Sequence, residues 1–133
     1  MKIALGTDED RPVVEHLARV VQDKGHELLR VPTGAWAEMA QRVAELVRAG
    51  EASMGIVCCW TGTGVSIAAN KVPGIRAALC VDAATAEGAR KWNDANVLAL
   101  SLRLLSDPVA SEILTAWLDT TYAGTEDDSL QRL

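Results

Sequence analysis

Residues suited to cross-linking or metal binding are scarce in this chain, with three cysteines and two histidines among 133 residues. Two of the cysteines, Cys58 and Cys59, are adjacent, and an odd total with that spacing fits neither a disulfide framework nor a CxxC zinc site. Reduced thiols in a cytoplasm are the expectation. His16 and His26 have no metal-ligand spacing to each other or to a cysteine, so neither a metal nor another cofactor is expected. No apolar stretch approaches the length of a membrane span, and Met1–Leu5 runs into a strand-like segment without signal-peptide features. The net charge of −5 argues against a nucleic-acid backbone as partner. Phenylalanine is absent and tyrosine occurs once, which leaves four tryptophans as most of the aromatic surface.

What is present is an ordinary globular composition, 49% apolar and 23% charged. A single domain over residues 1–133 is long enough to bury roughly two-thirds of its unfolded surface. Strand-like runs at Lys2–Gly6, Glu27–Val31, Met54–Cys58, Ile75–Val81 and Asn96–Leu100 alternate with helical patterns. The first helix carries Val13, Val14, Leu17, Val20 and Val21 at helical spacing, starts at Pro12 and stops at Lys24-Gly25. A second covers Ala35–Ala49, a third follows Gly64, and a fourth spans Ala83–Lys91 with Asp82 as its cap. Trp92–Ala95 reads as a turn, and Asp107-Pro108 opens a last helix ending near Tyr122. Residues from about 123 onward read as a solvated, flexible acidic tail.

Five strands alternating with helices predict an α/β fold, a doubly wound three-layer sandwich around a parallel sheet. Ligands of such sheets bind beyond the carboxyl ends of the strands, near a topological switch point. The residues expected there are Thr7, Asp8 and Glu9, then Cys59, Trp60 and Thr61, and Asp82. Trp92 and Asn93 fall at the opposite end of their strand, so a second subunit would have to bring them to the same pocket.

The chain is organised around Met54–Pro73, M-G-I-V-C-C-W-T-G-T-G-V-S-I-A-A-N-K-V-P. An apolar strand breaks into a glycine-rich turn and then a helix start. Such a turn directs backbone N–H groups into one small volume, where the helix dipole favours negative charge. A thiol (Cys59) and a hydroxyl (Thr61) stand at its mouth. A thiolate beside a helix N-terminus is a competent base, and N–H groups aimed at a developing oxyanion stabilise it. From the residues alone, Thr61 can equally be a plain helix cap, and Gly62 and Gly64 can serve only a tight turn. Cys58 and Cys80 read as small buried hydrophobes.

The run G-T-G-V-S-I-A-A-N-K-V-P-G-I-R-A-A-L-C, followed by N-D-A-N-V-L-A-L, closely resembles the ribose-5-phosphate isomerase type B family, which also contains galactose-6-phosphate isomerase subunits. The likeness extends to Gly6–Asp8, Gly25–Glu27 and Val43–Val47. The resemblance implies a Rossmann-like sandwich that forms homodimers or homotetramers with active sites shared between subunits. It also implies aldose–ketose isomerisation through a cis-enediolate. On that pattern Cys59 is the base and Thr61 the oxyanion hydroxyl, with Gly62 and Gly64 in the anion-holding loop and Ser66 among the substrate-binding residues. Asp8 is a substrate-hydroxyl contact, Asn93 a contact from the neighbouring subunit, and Arg103 a phosphate-side arginine.

The sequence also departs from the family pattern. Glu9 stands where the family has a phosphate-contacting His, and Trp92 where it has the ring-opening His. Trp60 replaces a glycine, Trp36 replaces a tyrosine in a shortened loop, and the tail is acidic where the family has arginines. Losing cations and gaining acids is the wrong direction for a dianion, whereas indoles suit sugar faces. The expected substrate is therefore a sugar or sugar derivative that need not carry a phosphate. Two alternatives stay open: a non-catalytic ligand-binding relative, and a phosphosugar isomerase drawing its cations from Arg11, Arg103 or Arg132.

Overall fold

The computed structural model describes residues 1–133. Five strands, β1 (Lys2–Thr7), β2 (Glu27–Arg30), β3 (Met54–Cys59), β4 (Ala77–Leu79) and β5 (Val97–Ser101), alternate with helices. The helices are α1 (Pro12–Asp23), α2 (Trp36–Arg48), α3 (Thr63–Asn70), α4 (Ala83–Asn93) and α5 (Asp107–Asp119), and a short α6 (Asp127–Leu130) follows. All strand pairs are parallel and the order is β2-β1-β3-β5-β4. The α/β sandwich expected from the sequence is thus present, with the last strand made lying inside the sheet.

Period-two alternation sorts the central strands onto two faces. Ile3, Leu5, Ile56, Cys58, Leu98 and Leu100 pack against α1, α4 and α5 around the fully buried Trp117. Ala4, Val57, Cys59, Val97 and Ala99 pack against α2 and α3. The second face is thin because its residues are small. A Cβ on Gly6 would stand 2.4 Å from Met39 Sδ, and one on Gly55 would stand 2.6 Å from a Val43 methyl. Helix α2 therefore lies almost on the backbone of β1 and β3. Each fully buried Leu or Ile contributes roughly 1.5–3 kcal/mol, so the opposite, bulkier face carries most of the apolar stabilisation.

Several boundaries differ from the sequence reading. Trp92 and Asn93 are the last residues of α4, and the turn begins at Asp94, held in the left-handed region with φ 45°. Strand β4 covers three residues, at the sheet edge where it has one neighbour. The cap of α5 is Ser106, whose Oγ accepts from Val109 N–H. The tail expected to be flexible forms α6: Tyr122 Oη donates to Asp127 and accepts from Glu126 N–H, both at 2.8 Å. Its root is held by Ala123 N–H on the Lys91 carbonyl. No helix is long and apolar enough to cross a membrane.

Candidate active site

Strand β1 has β2 on one side and β3 on the other, and the loops after β1 and β3 lead to opposite faces, to α1 and to α3. Diverging loops at such a switch point open a crevice at the carboxyl ends of the strands. A cavity of about 280 Å³ occupies it, lined by Asp8, Trp36, Cys59, Trp60, Thr61, Thr63 and Gly64.

Strand alternation decides between the adjacent thiols. Cys58 points into the α1–α5 core, where burial, reinforced by the neighbouring Cys59 and Asp8, pushes its pKa up to about 12. Cys59, the last residue of β3, points to the α2–α3 side and lines the cavity. Cys80 is also buried, with its thiol pushed up to about 12 chiefly by desolvation. All three cysteines are free.

The loop after Cys59 is pinned to the end of β5. Leu102 N–H donates to the Cys59 carbonyl, and Arg103 N–H and Ser101 Oγ both donate to the Trp60 carbonyl, all at 2.9 Å. The chain then turns through Gly62, the N-cap of α3, at φ 77°. A Cβ there would be strained in backbone and would stand 2.9 Å from the Leu100 carbonyl carbon. The first bond of the helix runs from Ser66 N–H to the Gly62 carbonyl, leaving the N–H groups of Thr63 and Gly64 without a carbonyl partner. Thr61 does not cap the helix; its Oγ1 lies 2.8 Å from Thr63 Oγ1, in hydrogen-bond contact.

Asp8 N–H donates to the Cys58 carbonyl, which fixes the carboxylate at the cavity, and Asp8 Oδ1 is buried without a partner. Desolvation raises its pKa above the ordinary 3.8; the Glu9 carboxylate adds to that effect, while a backbone hydrogen bond and Arg11 oppose it. Trp36 packs on Gly64 at the opening of α3, and Trp60 lies under the Arg11 guanidinium, 4.8 Å from Cζ to the ring centroid. Both indoles are 48% exposed.

Six of the residues singled out in the sequence therefore meet in one cavity: Asp8, Trp36, Cys59, Trp60, Thr61 and Gly64. Four lie beside it. Glu9 is bound to Arg11, Gly62 underlies the turn, Ser66 sits half-buried in α3, and Arg103 is exposed after β5. Trp92 and Asn93 are elsewhere in the chain, lining a cleft of about 610 Å³ with Leu79, Asp82 and Thr85. Thr63 was not singled out as a site residue, although the T-G-T-G repeat of hydroxyls across one glycine was its signal. No group of three or more His, Cys, Asp or Glu residues is placed to hold a metal ion.

A profile of the family described as Ribose/Galactose Isomerase matches residues 3–133. The chain belongs to this family. It is an isomerase of the aldose–ketose class. Among ribose/galactose isomerases it is 39% identical to ribose-5-phosphate isomerase B of Escherichia coli strain K12, over 92% of this chain and 87% of that protein. It is 44% identical to D-erythrulose-4-phosphate isomerase of Pectobacterium atrosepticum, an alignment covering 70% of this chain and 63% of that protein. Its fold is similar to that of ribose-5-phosphate isomerase B of Clostridium thermocellum, with a TM-score of 0.95 and 37% identity over 99% of this chain and 94% of that one.

Proposed function

We propose that this isomerase interconverts an aldose and a ketose through a cis-enediolate, with Cys59 as base. Cys59 Sγ takes the proton from the carbon beside the carbonyl. The C–H electron pair becomes the C=C bond, and the carbonyl oxygen takes the negative charge. Thr61 Oγ1 and the unpaired N–H groups opening α3 hold that oxygen. Return of the proton to the former carbonyl carbon, with a proton moved between the two oxygens, completes the exchange. Asp8 Oδ1 accepts from a substrate hydroxyl. The single observation carrying this reading is that thiol, hydroxyl, helix opening and unpaired carboxylate oxygen line one cavity.

The substrate on this reading is a small sugar or sugar derivative that need not be phosphorylated, since no cationic side chain lines the cavity. A second reading, a sugar phosphate, is favoured by the phosphosugar isomerases among the relatives. It would require Arg103, or a second copy of the chain, to supply the missing charge. The half-exposed Trp36, Trp60 and Trp92 suit an interface, and a homodimer or homotetramer would let Asn93 and Trp92 of another copy complete the site. The setting we assign is cytoplasmic.

Free and phosphorylated aldoses and ketoses in deuterated water, followed by NMR, test the chemistry. Deuterium is expected beside the carbonyl, and Cys59→Ala is expected to lower its incorporation by about 10²–10⁴. Unchanged exchange in Cys59→Ala removes Cys59 from the mechanism. Silence across the panel from folded protein favours a non-catalytic relative. Mixing inactive Cys59→Ala with inactive Asn93→Ala tests the shared site, because only a site built from two chains regains activity.

A further inference from the structure

Trp60 forms part of the cavity's rim, and the guanidinium stacked on it is already engaged. Arg11 Nη2 donates to both carboxylate oxygens of Glu9, at 3.1 and 3.2 Å. The same guanidinium lies over the ring of Trp60, which lines the cavity next to Cys59. Arg11 Nε is buried and has no partner. The cation stacked on the lining indole is therefore neutralised by Glu9. A phosphate ester approaching it must displace the Glu9 carboxylate or lie beside it, and both oppose a dianion. An uncharged hydroxylated chain meets neither cost, and its C–H face suits an indole.

We propose that Glu9 is a specificity-determining residue: by occupying Arg11 over Trp60, it selects an uncharged sugar end over a phosphate ester. This rests on the isomerase reading above and names the substrate class that the rim admits. Exposed ion pairs of this kind add little to stability, so removing Glu9 leaves a folded protein to measure.

Inorganic phosphate titrated into the whole chain, followed by calorimetry or phosphorus NMR, reads the rim without any turnover. Wild type is expected to bind phosphate weakly, and Glu9→Gln to bind it roughly tenfold more tightly. Adding Arg11→Gln to Glu9→Gln should return the affinity to the wild-type value. In the exchange assay, Glu9→Gln should raise kcat/KM for a phosphorylated sugar relative to its free counterpart by a similar factor. Equal phosphate affinity in wild type and Glu9→Gln overturns the proposal, as does a gain that survives loss of Arg11. Failure of the isomerase reading would show separately, as absence of Cys59-dependent deuterium exchange with the phosphate titrations unaffected.

Discussion

The six-membered ring of Trp36 lies against Gly64, so closely that a Cβ on Gly64 would stand 2.9 Å from Cε3 and 3.1 Å from Cζ3. A residue at the start of α2 and one at the start of α3 thereby share a wall of the cavity. The absence of a side chain at one is what lets the other lie there.

Gly64→Ala should separate binding from stability. Gly64 has no positive φ, and alanine favours a helix by about 0.5–1 kcal/mol, so the backbone accepts the change. Trp36 is half exposed and swings outward instead of forcing an overpacking cost of about 1–3 kcal/mol. The expected result is urea stability within about 1 kcal/mol of wild type and a KM raised several-fold. Adding Trp36→Ala should raise KM no further, because both changes remove the same wall.

The three thiols should differ sharply toward a haloacetamide at pH 8. Cys58 and Cys80 are buried with pKa values pushed up to about 12, so neither offers thiolate. Mass spectrometry of the folded protein should find a single label, on Cys59, with exchange activity lost in proportion. Label on Cys58 at low occupancy of Cys59 would contradict the assignment of the two faces.

Gly62→Ala should be severe. The left-handed conformation costs about 1–2 kcal/mol for a residue with a Cβ. Contact with the backbone of Leu100 and Ser101, which cannot rotate away, adds about 1–3 kcal/mol. A fall in urea midpoint corresponding to about 2–5 kcal/mol is expected, with the m-value unchanged. A shift below about 1 kcal/mol would mean that the turn has another conformation available.

Asp8 should make the protein less stable at neutral pH than it would be without that charge. Its folded pKa is raised above the ordinary 3.8, chiefly by burial, so the folded state holds the proton more tightly than the unfolded state. Stability is then lost as pH rises through the window between the ordinary and raised values, and none is lost below it. Asp8→Asn should raise the melting temperature at pH 7, and the gain should vanish as pH falls below the ordinary carboxylate range. Activity should fall at the same time, since the buried Oδ1 is the group assigned to a substrate hydroxyl. A stabilisation equal at pH 7 and pH 3 would mean that burial of charge is not its cause.

Much of this was legible in the chain because local signals agreed with the tertiary result. The apolar runs gave the strands, and Pro12, Gly25, Gly50 and Asp82 marked helix ends where caps and left-handed turns stand. Membership of the ribose/galactose isomerases was legible in the long G-T-G-V-S-I-A-A-N-K-V-P run. Trp92 and Asn93 were misplaced because N-D reads as a turn, whereas only Asp94 adopts it, after the helix has run on. The short α6 was not foreseen because it is tied by Tyr122 and by backbone, and an acidic string shows no apolar period. The pairing of Arg11 with Glu9 was not legible either. Arg11 was open as a phosphate cation until geometry placed Glu9 on one side of it and Trp60 beneath.

The position of β5 has a consequence for how the enzyme comes into being. Residues 97–101 fill the gap between β3 and β4, and their flank supplies every bond that anchors the carbonyls of Cys59 and Trp60. During synthesis the first three strands can assemble early, but they present an open edge, and the turn bearing the thiol hangs without its anchor. Such non-local closure is slow relative to local helix formation. A ribosome must therefore deliver the chain through Arg103 before the turn bearing the thiol can be anchored beside the opening of α3.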